Sequence, residues 1–120
     1  MRNKIPQIDK AFLHSLSTQF KFFHDGPTRK TTKARMAADL GTSPRKIEMG
    51  VFLLRKEGMA ILADGDGYWL AERPEEFRPV LKSLRHRLRE IYGTYRSLEH
   101  ARERLLQSAT TEPTGQKRMF

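Results

Sequence analysis

A mainly α fold with a small β-hairpin, in which a helix-turn-helix is followed by a two-stranded ribbon, a long C-terminal helix and a disordered tail, is predicted by three observations. Apolar residues recur at helical spacing through four separate stretches between Asp9 and Gln107. A lone Asp64-Gly65-Asp66-Gly67 run sits between two short β-prone segments. From Ser108 onward the chain carries small and polar residues with Pro113 and Gly115, which bury too little apolar surface to fold alone.

The first helix is expected from Asp9 to Phe23, where Phe12, Leu16, Phe20 and Phe23 form a stripe. Asp9 is placed to cap its N-terminus and Asp25-Gly26-Pro27 to stop it. The basic stretch Thr28-Arg29-Lys30-Thr31 leads to Thr32, an N-cap for a short helix from Lys33 to Leu40 that ends at Gly41. Ser43 caps the next helix, whose first residue Pro44 stands where a missing amide costs nothing. That helix runs to Glu57, and Gly58 closes it. Gly41-Thr42-Ser43 leaves room only for a tight turn between the two.

Met59 to Ala63 and Tyr68 to Ala71 read as the strands of the ribbon, with the glycines of the intervening run supplying positive φ at the turn. After Pro74, Phe77, Leu81, Leu84, Leu88, Ile91, Tyr95, Leu98 and Leu105 alternate steps of four and three, interrupted only by Arg102. Such a seam packs against another helix, either of its own domain or of a second copy, and Tyr92 and Tyr95 suit both arrangements. Pro79 inside a helix costs about 3 kcal/mol, so the helix should kink there or begin beside it. The expected organisation is residues 1–73, 74–107 and 108–120 for the first domain, the long helix and the tail.

Lys and Arg number 23 against 14 Asp and Glu, a formal charge of +9 that draws the chain to phosphate polyanions or acidic surfaces. The absence of cysteine excludes disulfides and thiolate metal sites. No run is apolar enough for a signal peptide or a membrane span, so the expectation is a soluble protein of the bacterial cytoplasm without a membrane partner. His14, His24, His86 and His100 lack metal-ligand spacing. Asp64, Asp66 and Glu75 match three positions of a calcium loop, but Tyr68 and Trp69 stand where that loop needs an oxygen ligand and a glycine. Trp69 and Tyr68 are expected to pack on the core or on the long helix. No metal or cofactor is expected, and no nucleophile-base pair, phosphate loop or carboxylate pair points to catalysis.

The segment Lys33 to Ile47 resembles the helix-turn-helix of DNA-binding proteins. Ala37 is small where the helices cross, Gly41 marks the turn, and Met36, Leu40, Ile47 and Val51 fall at buried positions of the motif. Gly50 departs from it, because an aliphatic residue is usual there. With a helix before it and a ribbon after it, the stretch from residue 9 to residue 72 looks like a winged helix. The resemblance implies that the second helix of the motif enters the major groove of duplex DNA through Ser43, Arg45, Lys46 and Met49. Arg45 is the candidate base reader, while Lys46, Arg29, Lys30, Lys33 and Arg35 would meet phosphates. Asp64 and Asp66 at the hairpin tip would repel a phosphate backbone, which argues against wing contact. Arg85, Arg87, Arg89 and Arg96 lie off the seam, where they form either a second basic face or ordinary helix charges paired with Glu90 and Glu99.

Two further resemblances bear on context. Gly67-Tyr68-Trp69-Leu70-Ala71, Glu75-Glu76-Phe77 and Ser83-Leu84-Arg85-His86-Arg87 are similar to a pattern in small winged-helix proteins of bacteriophages and prophages. This implies DNA replication or transcription regulation and carries no catalytic residues. Gln116-Lys117-Arg118-Met119-Phe120 resembles the peptide with which bacterial DNA-handling proteins dock on the replication sliding clamp. There, Gln116 would make orienting hydrogen bonds and Met119 and Phe120 would anchor in an apolar groove. The alternatives are a dimeric transcriptional regulator that ignores the clamp, and a clamp-binding inhibitor whose winged helix contacts protein.

Overall fold

The computed structural model describes residues 8–110, with elements in the order α1 (Lys10–Phe23), α2 (Lys33–Leu40), α3 (Pro44–Lys56), β1 (Ile61–Asp64), β2 (Gly67–Leu70) and α4 (Phe77–Thr110). Single 3-10 turns lie at Pro27–Arg29 and Pro74–Glu76. The chain divides into two compact units between Leu81 and Lys82.

The first unit is a winged helix-turn-helix whose helices begin at the caps the sequence predicts. Asp9 accepts from the Phe12 N–H at 2.8 Å, Thr32 from the Arg35 N–H at 3.0 Å and Ser43 from the Lys46 N–H at 3.2 Å. Each satisfies an amide that the helix itself leaves without a partner. Gly41, at φ 64, ends α2 in the left-handed region, and Thr42 N–H bonds back to the Ala37 carbonyl at 2.9 Å. The turn folds α3 against α2 over buried Ala37. Leu16, Phe20, Met36, Ile47 and Val51 are the deepest side chains, joined by Leu54 and Ile61.

Phe23 is the exception on the α1 stripe: at the last helical residue it is 55% exposed, so the core stops at Phe20. Gly50 is buried in α3, where a Cβ would stand 2.6 Å from Leu16 Cδ2 and 2.9 Å from Phe12 Cε2. The space usually filled by an aliphatic side chain is filled here by α1, which packs onto the α3 backbone.

The hairpin is antiparallel with register Ile61↔Leu70, Leu62↔Trp69, Ala63↔Tyr68 and Asp64↔Gly67, so each strand is offset from the expected runs. Of the glycines in the turn run, only Gly67 has positive φ, at 143°. The loop residue Gly65 does not, because the Asp64 carboxylate accepts the Asp66 N–H at 2.9 Å and closes the turn through a side chain. The segment after α1, read from the sequence only as a basic lead-in, pairs with β2. Thr31 and Tyr68 exchange backbone hydrogen bonds of 2.7 and 2.9 Å, and Leu70 N–H donates to the His24 carbonyl at 2.8 Å. Isolated bridges of this kind carry no β-prone run that would announce them.

Trp69 packs with Leu62 and Val80 in a second cluster flanked by Ala71 and Phe77. Its Nε1–H donates to Glu76 Oε1 at 2.8 Å, while Glu76 Oε2 accepts from the Arg73 and Glu72 amides at 3.0 and 3.2 Å. Pro79 falls in the first turn of α4, where its missing amide removes no intrahelical bond.

The second unit, as far as residue 110, is the continuation of α4. The helix takes in Ser108, Ala109 and Thr110, which the sequence assigns to the tail, and the Thr110 hydroxyl donates to the Leu106 carbonyl at 2.8 Å. Leu84, Leu88, Ile91, Tyr95, Leu98 and Leu105 are all exposed, between 43% and 67%. Tyr92 and Tyr95 stack with centroids 6.3 Å apart. Arg96 lies 3.8 Å from Glu99, and His86 lies 3.3 Å from Glu90. Among the described residues, no helix is long and apolar enough to cross a membrane.

Candidate nucleic-acid interface

The pattern of α3 separates two faces. Ile47, Gly50, Val51 and Leu54 point into the core, and their spacing fixes the helix's rotation. That rotation leaves Ser43 and Arg45 exposed and Lys46 and Met49 half-buried at its start. Lys46 runs along α1, with Nζ 4.6 Å from the centroid of Phe12, so its stem covers apolar surface and its charge stays at the rim. Arg45 has no ion-pair partner among the described residues. A guanidinium held at the start of such a helix, with its five donors uncommitted, has the geometry for bidentate bonding to a guanine edge or a phosphate.

The other cations named from the sequence sit differently. Arg29 bonds Asp25 Oδ1 at 2.7 Å and the Phe22 carbonyl at 3.0 Å, fastening the end of α1. Lys30 lies 2.7 Å from Asp64 Oδ2 and 4.7 Å from the centroid of Trp69, tying the lead-in segment to the hairpin tip. Hydrogen bonding to Lys30 is the main cause holding the Asp64 carboxyl below the usual carboxylate range. Half of the acidic charge at the tip is thus already matched within the fold.

Lys33 is bonded to the Glu48 carboxylate, which raises its pKa and joins the start of α2 to α3. Arg35 lies only 3.9 Å from Asp39 with its side chain 75% exposed, a loose pair. The structure therefore brings Lys33, Glu48, Arg45 and Lys46 together on the two helices of the motif. It commits Arg29 and Lys30 to contacts within the fold. The pairing of Glu48 with Lys33 is what sequence reasoning missed, since nothing in a fifteen-residue separation marks the two as partners. Gln116, Met119 and Phe120 lie outside the described residues. Among the described residues, no group of three or more His, Cys, Asp or Glu could hold a metal ion.

Because Lys33 is bonded to Glu48, it would reach a phosphate only by leaving that carboxylate, and on a reading in which the motif meets duplex DNA Glu48 would act as a brake. Glu48→Gln should tighten binding to duplex DNA and steepen the slope of log K against log salt by about 0.9, the value of one added phosphate contact. Anisotropy titrations at several salt concentrations read both quantities, and an unchanged slope would remove Lys33 from the interface.

Compared with known proteins, the chain matches no family model, no curated protein sequence and no solved structure.

Proposed function

We propose that this chain is a non-enzymatic winged-helix DNA-binding protein of phage or bacterial DNA replication or regulation, with the start of α3 in the major groove of duplex DNA. The observation that carries the reading is Arg45, exposed at the first turn of α3 and without an ion-pair partner among the described residues, while the neighbouring candidate cations Arg29, Lys30, Lys33 and Arg35 all face acids. Lys46 beside it and a formal charge of +9 supply the sequence-independent attraction. The C-terminal Gln116, Met119 and Phe120 would then tether the bound protein to the sliding clamp, raising its local concentration at replicating DNA.

Arg45→Ala with Lys46→Ala should weaken duplex binding at fixed salt, by about 1–3 kcal/mol for the base contact alone at a preferred site. Neither side chain is fully buried, so circular dichroism should show an unchanged fold. Full affinity in the double variant would refute the recognition-helix assignment. Calorimetry with purified bacterial clamp tests the tether in parallel, with saturable binding expected for the full chain and lost on Met119→Ala with Phe120→Ala.

A second reading, a dimeric transcriptional regulator, is favoured by one observation. The heptad seam of α4 is exposed along its length.

A further inference from the structure

We propose that residues 81–105 of α4 pair with a second copy of this chain as an antiparallel coiled coil; the inference rests on the dimer reading and adds orientation and register to it. The steps of four and three place Leu81, Leu88, Tyr95 and Arg102 at heptad position a and Leu84, Ile91, Leu98 and Leu105 at position d. Every one of the apolar side chains in this set is an exposed large hydrophobic group. A seam of this length, apolar at all positions but one, is the pattern that two-stranded coiled coils bury.

Orientation follows from charge. In a parallel, in-register pair, Arg102 would face Arg102 of the other helix in one core layer, two like charges with no acid in the layer. The flanking pairs across that parallel interface, Arg87 with Tyr92 and Thr94 with Glu99, include no opposite charges. In the antiparallel pair, position a of one helix meets position d of the other, and a single register fills every layer. Leu81 meets the partner's Leu105, Leu88 meets the partner's Leu98, and Ile91 meets the partner's Tyr95.

Arg102 then lies over the partner's Leu84 near an end of the interface, where its stem covers the leucine and its guanidinium reaches water. The two Arg102 side chains stand about 27 Å apart along the axis. Arg85 falls beside the partner's Glu99, twice by symmetry. Arg85 has no ion-pair partner among the described residues, and Glu99 holds only the 3.8 Å contact with Arg96 and the Tyr95 hydroxyl at 3.1 Å. Tyr92 meets its own copy at the two-fold axis.

Leu81 and its copy stand about 36 Å apart along the shared axis.

The chain has no cysteine, so introduced thiols report orientation without background. The full chain should sediment as a dimer, and Leu88→Asp, at a position 66% exposed, should make it a monomer with unchanged helicity. On mild oxidation, an equal mixture of Leu84→Cys and Arg102→Cys chains should give a mixed disulfide, while Leu84→Cys alone should give none. A full chain that sediments as a monomer overturns the dimer reading and the inference with it. A dimer in which Leu84→Cys links to itself overturns the antiparallel register and leaves the dimer standing.

Discussion

Trp69→Ala is expected to lower the unfolding free energy of the first unit by about 3–5 kcal/mol, the range for emptying a buried aromatic site. Trp69 is 4% exposed and is the largest side chain in the cluster that joins the hairpin to the first turns of α4. Its loss removes packing from Leu62 and Val80, takes the Nε1–H from Glu76 and strips Lys30 of the ring beneath its ammonium. For a unit of this size, with total stability on the order of 5–15 kcal/mol, that is a large share. Trp69→Phe separates the causes: it keeps much of the apolar volume and loses the N–H, so it should cost about 1–3 kcal/mol. Urea unfolding followed by circular dichroism checks both, and a loss below about 1 kcal/mol for the alanine variant would mean that the cluster does not hold the hairpin.

Local chemistry was legible in the sequence. Asp9, Thr32 and Ser43 cap the helices because an oxygen two or three residues before a free amide is a matter of spacing alone, and Gly41 sits where the chain must turn left-handed. The buried face of α3 followed from the period of Ile47, Val51 and Leu54, and with it the outward placement of Arg45. What was not legible depends on approach through space. The pairing of Thr31 with Tyr68, the tie from Lys30 to Asp64, and the hold of Glu48 on Lys33 join residues far apart in sequence, and no periodicity encodes them.

These ties change the meaning of the net charge. Lys30 looks in the sequence like one more phosphate contact beside Arg29; in the fold it spans from Trp69 to Asp64 and fixes the hairpin tip. Lys33 is available to a ligand only in competition with Glu48. A basic chain of this composition therefore offers fewer uncommitted cations at the motif than its formal charge suggests. On the proposed DNA-binding reading, specific recognition would lean on Arg45 more than on the sum of positive residues.

Gly67→Ala should destabilise the first unit by about 2–4 kcal/mol, although it adds only a methyl group at a half-exposed site. The backbone there has φ 143, and a Cβ would stand 2.5 Å from the Thr31 carbonyl oxygen and 2.9 Å from its carbon. Strained backbone of this kind costs about 1–3 kcal/mol. The obstacle is main chain, not a movable side-chain end, so relief requires Thr31 to retreat from Tyr68 and their two hydrogen bonds to lengthen, at about 0.5–1.5 kcal/mol each. Thr31 precedes the Thr32 cap of α2 and follows Lys30, so its displacement loosens the tie to Asp64 and the start of the helix that carries Lys33. Gly65→Ala supplies the contrast: its Cβ would meet nothing within 4 Å and its φ lies outside the left-handed region. That variant should be neutral or gain about 0.4–1 kcal/mol through the unfolded chain. Denaturant midpoints rank the two, and amide exchange at Thr31 and Tyr68 locates the damage. Equal stability of the two variants would show that the close approach of Gly67 to Thr31 is not what joins the hairpin to the helix-turn-helix.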